Sequence, residues 1–238
     1  YNPNETPNNG VDDDDNGFID DIRGWNFAEG NNDVFYDPLA AYHGTSCAGI
    51  AGAATNNSIG VAGVAGGWGG NGCKMLGIRC DYKELRLSNI IQGVAYSTVN
   101  GVKVISMSYG FGVADPTLLQ NTINDAYNNG LVLVASSGNN GLATIAYPGA
   151  CDNVIAVGAT LQTDTLWDGS SYGDKLDVVA PGGEDVIYTT DYNAITNAHI
   201  YSYFGGTSAS CPHVAGLAAL LFSANSSLTN WEVDSIIR

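Results

Sequence analysis

Apolar runs alternate with amphipathic stretches through the middle of the chain. The runs are nearly continuous, as in Leu131-Val132-Leu133-Val134, which is typical of parallel strands buried on both faces. Strands are predicted at residues 74–79, 102–109, 131–136, 154–157 and 176–179. Helical periodicity predicts helices near residues 87–100 and 117–129. This alternation predicts an α/β fold of three layers, in which a mostly parallel twisted sheet carries helices on both faces.

A further helical pattern lies near the C-terminus, behind the pair Gly205-Gly206. Apolar residues recur there at i, i+3, i+4 and i+7 from Val214, the spacing of a helix face packed on a core. Ser208 therefore lies at or near the helix N-terminus, where unpaired N–H groups and the helix dipole favour negative charge. An N-cap role explains most serines in such a position. The other interpretation is a nucleophile whose oxyanion the helix start stabilises.

Residues 1–42 are predicted to form an acidic loop region. Within it, residues 12–21 match the opening of an EF-hand calcium loop at positions one, three, five, six and nine, with Arg23 in place of the usual glutamate at position twelve. A solvated acidic loop without an ion is the alternative. The candidate ligands of a structural calcium ion are Asp12, Asp14, Asn16, Phe18, Asp20 and Asp21.

Composition limits the number of domains, the binding partners and the kinds of site that the chain could have. The 238 residues suit a single domain, 1–238, with a substantial core. A net charge of −16 argues against nucleic acid and anionic membrane surfaces as partners. The sequence has no run of about eighteen apolar residues, the length expected of a membrane span. Five widely spaced cysteines predict neither a complete disulfide framework nor a zinc cluster, and no pairing is assigned to them.

Three short motifs carry the chemistry. They are His43-Gly44-Thr45, Gly138-Asn139 after an apolar strand, and Gly206-Thr207-Ser208 before Pro-His-Val-Ala-Gly. In this order they resemble the subtilisin-like serine proteases, over nearly the whole chain. The resemblance implies that Ser208 is the nucleophile and His43 its general base, while the Asn139 amide and the Ser208 N–H form the oxyanion hole. His213 is interpreted as a core histidine, and His199 has no motif around it.

The resemblance also implies a substrate and a setting. Polypeptides would pair as an added strand with two short segments, and Ala146 would lie near the floor of a pocket for apolar side chains. The implied substrate-binding residues are Ser108, Tyr109, Gly110, Ser136, Gly138 and Ala146. A secreted monomer is expected, with no cofactor for catalysis and no membrane partner.

One element of the family pattern is missing. The family places an aspartate in an Asp-Ser/Thr-Gly turn before the histidine, and no such turn precedes His43. We therefore expect a fragment, cut at both ends, whose catalytic aspartate lies upstream of Tyr1. A non-catalytic binding or structural domain of the same fold is the alternative. An α/β-hydrolase fits less well, because residues 206–210 lack the second glycine of its nucleophile elbow. The acidic candidates before His43 are Asp12 to Asp15, Asp20, Asp21, Asp33 and Asp37.

Overall fold

A computed structural model describes residues 1–35, 42–80, 85–184, 186–193 and 195–238. The helices in these ranges are α1 (Tyr42–Gly52), α2 (Leu87–Val99), α3 (Thr117–Asn128), α4 (Thr207–Ala224) and α5 (Asn230–Ile237). The strands are β1 (Gly24–Asn26), β2 (Gly77–Arg79), β3 (Val104–Met107), β4 (Val132–Ser136), β5 (Ile155–Thr160), β6 (Val178–Pro181), β7 (Ile187–Asn193) and β8 (Ala198–Phe204).

The central sheet is parallel and has the order β3-β4-β5-β6. Its register places Val104 opposite Val132 and Val134 opposite Ile155. The sheet confirms four of the five predicted strands, with ends shifted by a few residues. The strand predicted at 74–79 is shorter than expected, and it pairs with β1 in a separate two-stranded sheet.

Strand β4 explains why the apolar runs are continuous. Its residues Val132 and Val134 pack in one cluster with Val214 and Ala218 of α4. The intervening Leu133 lies in a second cluster, with residues of α2 and α3 on the opposite side of the sheet. Both faces of the strand are covered, which explains why residues 132–135 are all apolar. The three-layer prediction is confirmed.

Helix α4 is the longest helix in the described ranges. Its length and apolar composition also pass a simple test for a membrane-spanning segment, yet half of it is buried inside the fold. It packs against all four strands of the central sheet and against α1 and α5. These contacts identify α4 as the core helix on one face of the sheet.

The hairpin of β7 and β8 was not predicted from the sequence. Its two strands pair antiparallel, from Ile187 opposite Phe204 to Asn193 opposite Ala198. Thr189 Oγ1 donates to the Ser46 carbonyl at 3.0 Å, and Thr190 Oγ1 donates to the Thr45 carbonyl at 2.8 Å. The hairpin contacts α1 through these threonine hydroxyls. Its sequence therefore lacks the apolar pattern from which strands are predicted.

Residues 1–23, here called the acidic loop, precede β1 and contain no regular element. The loop is anchored on α2 through Asp21, which is fully buried. The Asp21 carboxylate accepts from Tyr96 Oη at 2.5 Å, from Asn2 Nδ2 at 2.7 Å and from Asn16 Nδ2 at 3.0 Å. Three donors satisfy a buried charge that would otherwise be costly.

Replacing Tyr96 by Phe should therefore destabilise the fold. The change removes one hydrogen bond to a buried carboxylate, which is worth about 1.5–3 kcal/mol in free energy of unfolding. Urea denaturation of the purified variant measures it. The control is Tyr172→Phe, since Tyr172 is 45% exposed, and its unfolding midpoint should not change. Equal midpoints for the two variants would contradict the anchoring role.

Candidate active site

Ser208 is the second residue of α4, as the sequence predicts. The helix follows Gly206, whose φ of 73° and ψ of −179° set the sharp entry of the chain. The Ser208 hydroxyl donates to the Ser108 carbonyl at 3.1 Å, at the end of β3. The nucleophile candidate is thus held between a helix N-terminus and the carboxyl end of a parallel strand, where ligands bind in such sheets.

Pro212 gives this position a second anchor. It lies inside α4 and has no N–H, so it cannot donate to the carbonyl of Ser208, four residues earlier. That carbonyl accepts instead from Ser108 Oγ at 2.9 Å and from Cys47 Sγ at 3.6 Å. The proline therefore frees an acceptor that ties α4 to β3 and to α1.

The thiol of Cys47 brings the histidine into the same site. His43 is the second residue of α1, and its Nδ1 lies 3.9 Å from Cys47 Sγ, one helical turn later. The imidazole packs edge-to-face on Phe204, with ring centroids 5.2 Å apart. Since Cys47 contacts both His43 and the Ser208 carbonyl, the base and the alcohol predicted from distant parts of the sequence share one site.

Asn139 lies across the entry to α4. Its Oδ1 accepts from the Thr207 N–H at 2.9 Å and from Thr207 Oγ1 at 2.7 Å. With Oδ1 occupied, the Nδ2 group is the side that remains to donate. A Cβ at Gly206 would lie 2.9 Å from Nδ2, and the φ of 73° at this position also favours glycine. The left-handed turn beside it falls on Gly138, with φ of 111°, and not on Asn139.

The predicted substrate segments end two neighbouring strands. Ser136 Oγ of β4 donates to the Tyr109 carbonyl at 3.3 Å, just after β3. Ala146 lies between the segments, because a Cβ at Gly110 would be 2.8 Å from its methyl group and one at Gly138 would be 3.4 Å away. The two glycines and Ala146 together leave a small, uncharged surface beside Asn139.

A model of the subtilase family matches residues 6–238. The chain belongs to the subtilase family. It is 43% identical over 205 residues to a thermophilic serine proteinase from Bacillus sp. (strain AK1), covering 85% of this chain and 47% of that protein. It is 38% identical over 211 residues to thermitase from Thermoactinomyces vulgaris, covering 88% of this chain and 70% of that one.

Solved structures agree with this assignment. A protease from Pseudoalteromonas arctica PAMC 21717 superposes with a TM-score of 0.75 at 33% identity, covering 82% of this chain and 62% of that one. The subtilase chain thus spans about half to two thirds of the relatives it matches. The likeness confirms the α/β architecture predicted from the sequence.

The two other histidines of this subtilase lie elsewhere. His213 Nδ1 is 2.8 Å from the Ala209 carbonyl within α4, and burial lowers its pKa, although that contact opposes the shift. The contact within α4 agrees with the interpretation of His213 as part of the helix scaffold. His199 lies in β8, where its ring contacts Tyr192 at 5.6 Å between centroids.

The structure divides the predicted calcium ligands into two groups. Asp12 and Asp14 converge with Glu5, with one oxygen of each carboxylate within 4.8 Å of the others. Asp20 instead accepts from the backbone N–H groups of Asn9 and Gly10, at 3.0 Å each. The other predicted ligands have different contacts: Asp21 binds Tyr96, Asn16 donates to Asp21, and the Phe18 ring packs on Trp25 and Tyr96. Glu5 was not among the predicted ligands, because no motif spacing marks it.

The acidic partner of His43 stays a prediction. Asp37, one of the candidates, lies outside the described residues. Asp33 accepts from the nearby Phe35 N–H at 3.1 Å. The remaining candidates belong to the acidic loop, which is anchored on α2.

Cys47 should ionise only at high pH. Burial raises the pKa of its thiol to about 12, so the thiolate that reacts with iodoacetamide is scarce at neutral pH. In the native protein its alkylation rate should keep rising about tenfold per pH unit from pH 7 to 10, because the pKa lies above this range. Mass spectrometry of the Cys47 peptide measures the rate. A plateau near pH 9, as for a thiol of ordinary pKa, would contradict the burial. The urea-unfolded chain should show that plateau.

Proposed function

We propose that the chain is the peptidase domain of a serine endopeptidase that forms an acyl-enzyme on Ser208. The main support for the proposal is a contact at the start of α4. There the Cys47 thiol contacts both the His43 imidazole and the Ser208 carbonyl, so the proposed base and nucleophile lie in one site. Membership of the subtilase family supports it, since the similar proteins include a thermophilic serine proteinase and thermitase.

In the proposed mechanism His43 acts as the general base. The Ser208 hydroxyl, which donates to the Ser108 carbonyl in the resting arrangement, turns to the imidazole and transfers its proton as the oxygen attacks the peptide carbonyl. The protonated imidazole then gives this proton to the leaving amine. His43 then takes a proton from a water molecule that attacks the acyl carbonyl, and it returns this proton to Ser208 Oγ as the ester bond breaks and the acid leaves. An acidic partner of His43, beyond the described residues, would hold the imidazole in the required tautomer.

Asn139 and the start of α4 stabilise the oxyanion. The two hydrogen bonds from Thr207 fix the Asn139 amide by its oxygen, so its N–H groups are oriented before the substrate arrives. The Ser208 N–H is among the first in α4, and these have no carbonyl partner within the helix. Donors held in advance stabilise developing charge without reorganisation.

The proposed substrates are extended polypeptides. They would pair with the backbone of residues 106–110 and 135–138, as an added strand pairs with a sheet edge. The small, uncharged surface of Gly110, Gly138 and Ala146 favours an apolar side chain before the scissile bond. We also propose that the complete protein is a secreted monomer, in keeping with its acidic surface charge.

A fluorophosphonate probe should label Ser208 in the complete protein. The reagent forms a bond only with a serine oxygen that an adjacent base activates, so Ser208→Ala should abolish the label. Ser210 is an internal control, because it is fully buried and donates to the Ala180 carbonyl at 3.0 Å. Mass spectrometry of the labelled peptide identifies the site. No labelling of the folded complete protein would favour the non-catalytic binding domain.

Replacing Asn139 by Ala should lower kcat by about two to three orders of magnitude, the loss known for one oxyanion donor in subtilisin, a member of the same family. KM should change little, since the donor acts mainly in the transition state. Steady-state hydrolysis of a peptide with an apolar residue before the scissile bond measures both constants.

Two further variants separate this role from local stability. Asn139→Asp keeps an acceptor for Thr207 but loses the donor, so its kcat should fall as far as that of Asn139→Ala. Asn140→Ala should retain normal kcat. The neighbouring Asn140 is exposed, and the proposed oxyanion hole consists of Asn139 and the Ser208 N–H alone. A normal kcat for Asn139→Asp would exclude donation by its amide.

A further inference from the structure

Six asparagines in the chain are followed directly by glycine. They are Asn9, Asn16, Asn71, Asn100, Asn129 and Asn140. In such a pair the glycine nitrogen can attack the side-chain carbonyl carbon of the asparagine, since glycine has no side chain to obstruct the approach. The ring that forms is a cyclic imide, and its formation releases ammonia. Folding therefore decides which pair reacts, because the nitrogen and the side chain must both be free to meet.

The glycine N–H donates a hydrogen bond in five of the six pairs. Two of the acceptors are carboxylates and three are backbone carbonyls: Gly10 donates to Asp20 at 3.0 Å, Gly17 to Asp12 at 2.8 Å, Gly101 to Thr98 at 3.3 Å, Gly130 to Tyr127 at 2.9 Å and Gly141 to Gly169 at 2.8 Å. A nitrogen held in this way must break its hydrogen bond before it can attack. These five pairs are therefore protected until the chain opens locally.

Four of the five protected pairs also hold the asparagine side chain. The amide nitrogens donate as follows: Asn9 to Asp13 at 2.8 Å, Asn16 to Asp21 at 3.0 Å, Asn100 to the Tyr96 carbonyl at 3.0 Å and Asn129 to the Asp125 carbonyl at 2.8 Å. Ring closure requires the side chain to turn onto the following nitrogen, so each of these pairs is restrained twice. Asn140 is exposed, and its pair is restrained through the Gly141 N–H.

The pair Asn71-Gly72 is different. Neither the Gly72 N–H nor the Asn71 side chain has a hydrogen-bond partner within the ranges that the structure describes. The Asn71 side chain is exposed. Both groups that must meet in ring closure are therefore free of the restraints that hold the other five pairs.

The surrounding loop adds to this freedom. Residues 66–72 include five glycines, and among the described residues no N–H of 67–72 donates to a backbone carbonyl. A Cβ at Gly69 or at Gly70 would meet nothing within 4 Å. Since neither hydrogen bonds nor packing fix this backbone, the rotation that brings the Asn71 side chain onto the next nitrogen costs little.

We propose that Asn71 is the site at which the folded protein undergoes spontaneous deamidation. Hydroxide takes the proton of the Gly72 N–H as its nitrogen bonds to Asn71 Cγ. The bond from Cγ to Nδ2 then breaks, and ammonia leaves with a proton from water. A second water molecule opens the imide at either carbonyl and gives aspartate or isoaspartate. In sum, one asparagine and one water give one acidic residue and one ammonia, without oxidation or reduction. The product adds a negative charge to a chain whose net charge is already −16.

The experiment uses the full chain with Ser208→Ala, so that self-digestion does not interfere and the outcome does not depend on the proposed peptidase activity. The protein is incubated in mildly alkaline buffer, folded or unfolded in urea, and peptide mapping by mass spectrometry follows each pair. In urea all six pairs should react at similar rates. In the folded chain Asn71 should keep nearly its unfolded rate, Asn140 should follow, and the four doubly restrained pairs should react at least about tenfold more slowly than in urea.

Two further variants test the site by charge. Isoelectric focusing of the folded parent should show a more acidic form that accumulates with time. Asn71→Gln should suppress most of it, because the longer side chain closes the corresponding ring far more slowly. The matched control Asn129→Gln should leave it unchanged. Undiminished accumulation in Asn71→Gln would overturn the assignment, as would faster reaction of any other asparagine-glycine pair in the folded chain.

Discussion

The carbonyl of Ser208 is the acceptor on which the geometry of the site depends. In an uninterrupted helix it would accept the N–H four residues later, but that residue is Pro212. The carbonyl therefore turns to Ser108 Oγ and Cys47 Sγ. Because Pro212 has no N–H, the Ser208 carbonyl is free to connect the start of α4 to the end of β3 and to α1, the helix that carries His43. A serine held in this way is positioned by three elements that are far apart in sequence.

The layered fold supplies the elements that meet there. Parallel strands all end at the same edge of the sheet, so the residues after β3 and β4 become neighbours although 28 positions separate Ser108 from Ser136. Helix α4 packs on these strands, and Ser208 in its first turn is hydrogen-bonded to Ser108 at the same edge. Close approach of α1 and α4 depends on small residues, and a Cβ at Gly216 would lie 2.7 Å from Val64 and 3.1 Å from the Ala51 carbonyl.

The acidic loop follows a different principle. Charge, not apolar area, dominates it, and its order comes from carboxylates that accept hydrogen bonds from nearby backbone N–H groups. Its attachment to α2 runs through the buried pair Asp21 and Tyr96. Because α2 leads directly into β3, the loop and the edge of the sheet that carries Ser108 are connected by one helix and the strand that follows it.

The sequence by itself determined the layers and marked the residues proposed to form the site. Strands buried on both faces leave continuous apolar runs, as in residues 131–134, and the motifs around His43, Asn139 and Ser208 are local. What only the tertiary structure decided depends on contacts between distant residues. Thr189 docks the β7–β8 hairpin on α1, Cys47 connects His43 to Ser208, and Glu5 turns back towards Asp12 and Asp14. Each of these side chains is unremarkable in its own stretch of sequence, because its partner lies elsewhere in the chain or outside its motif.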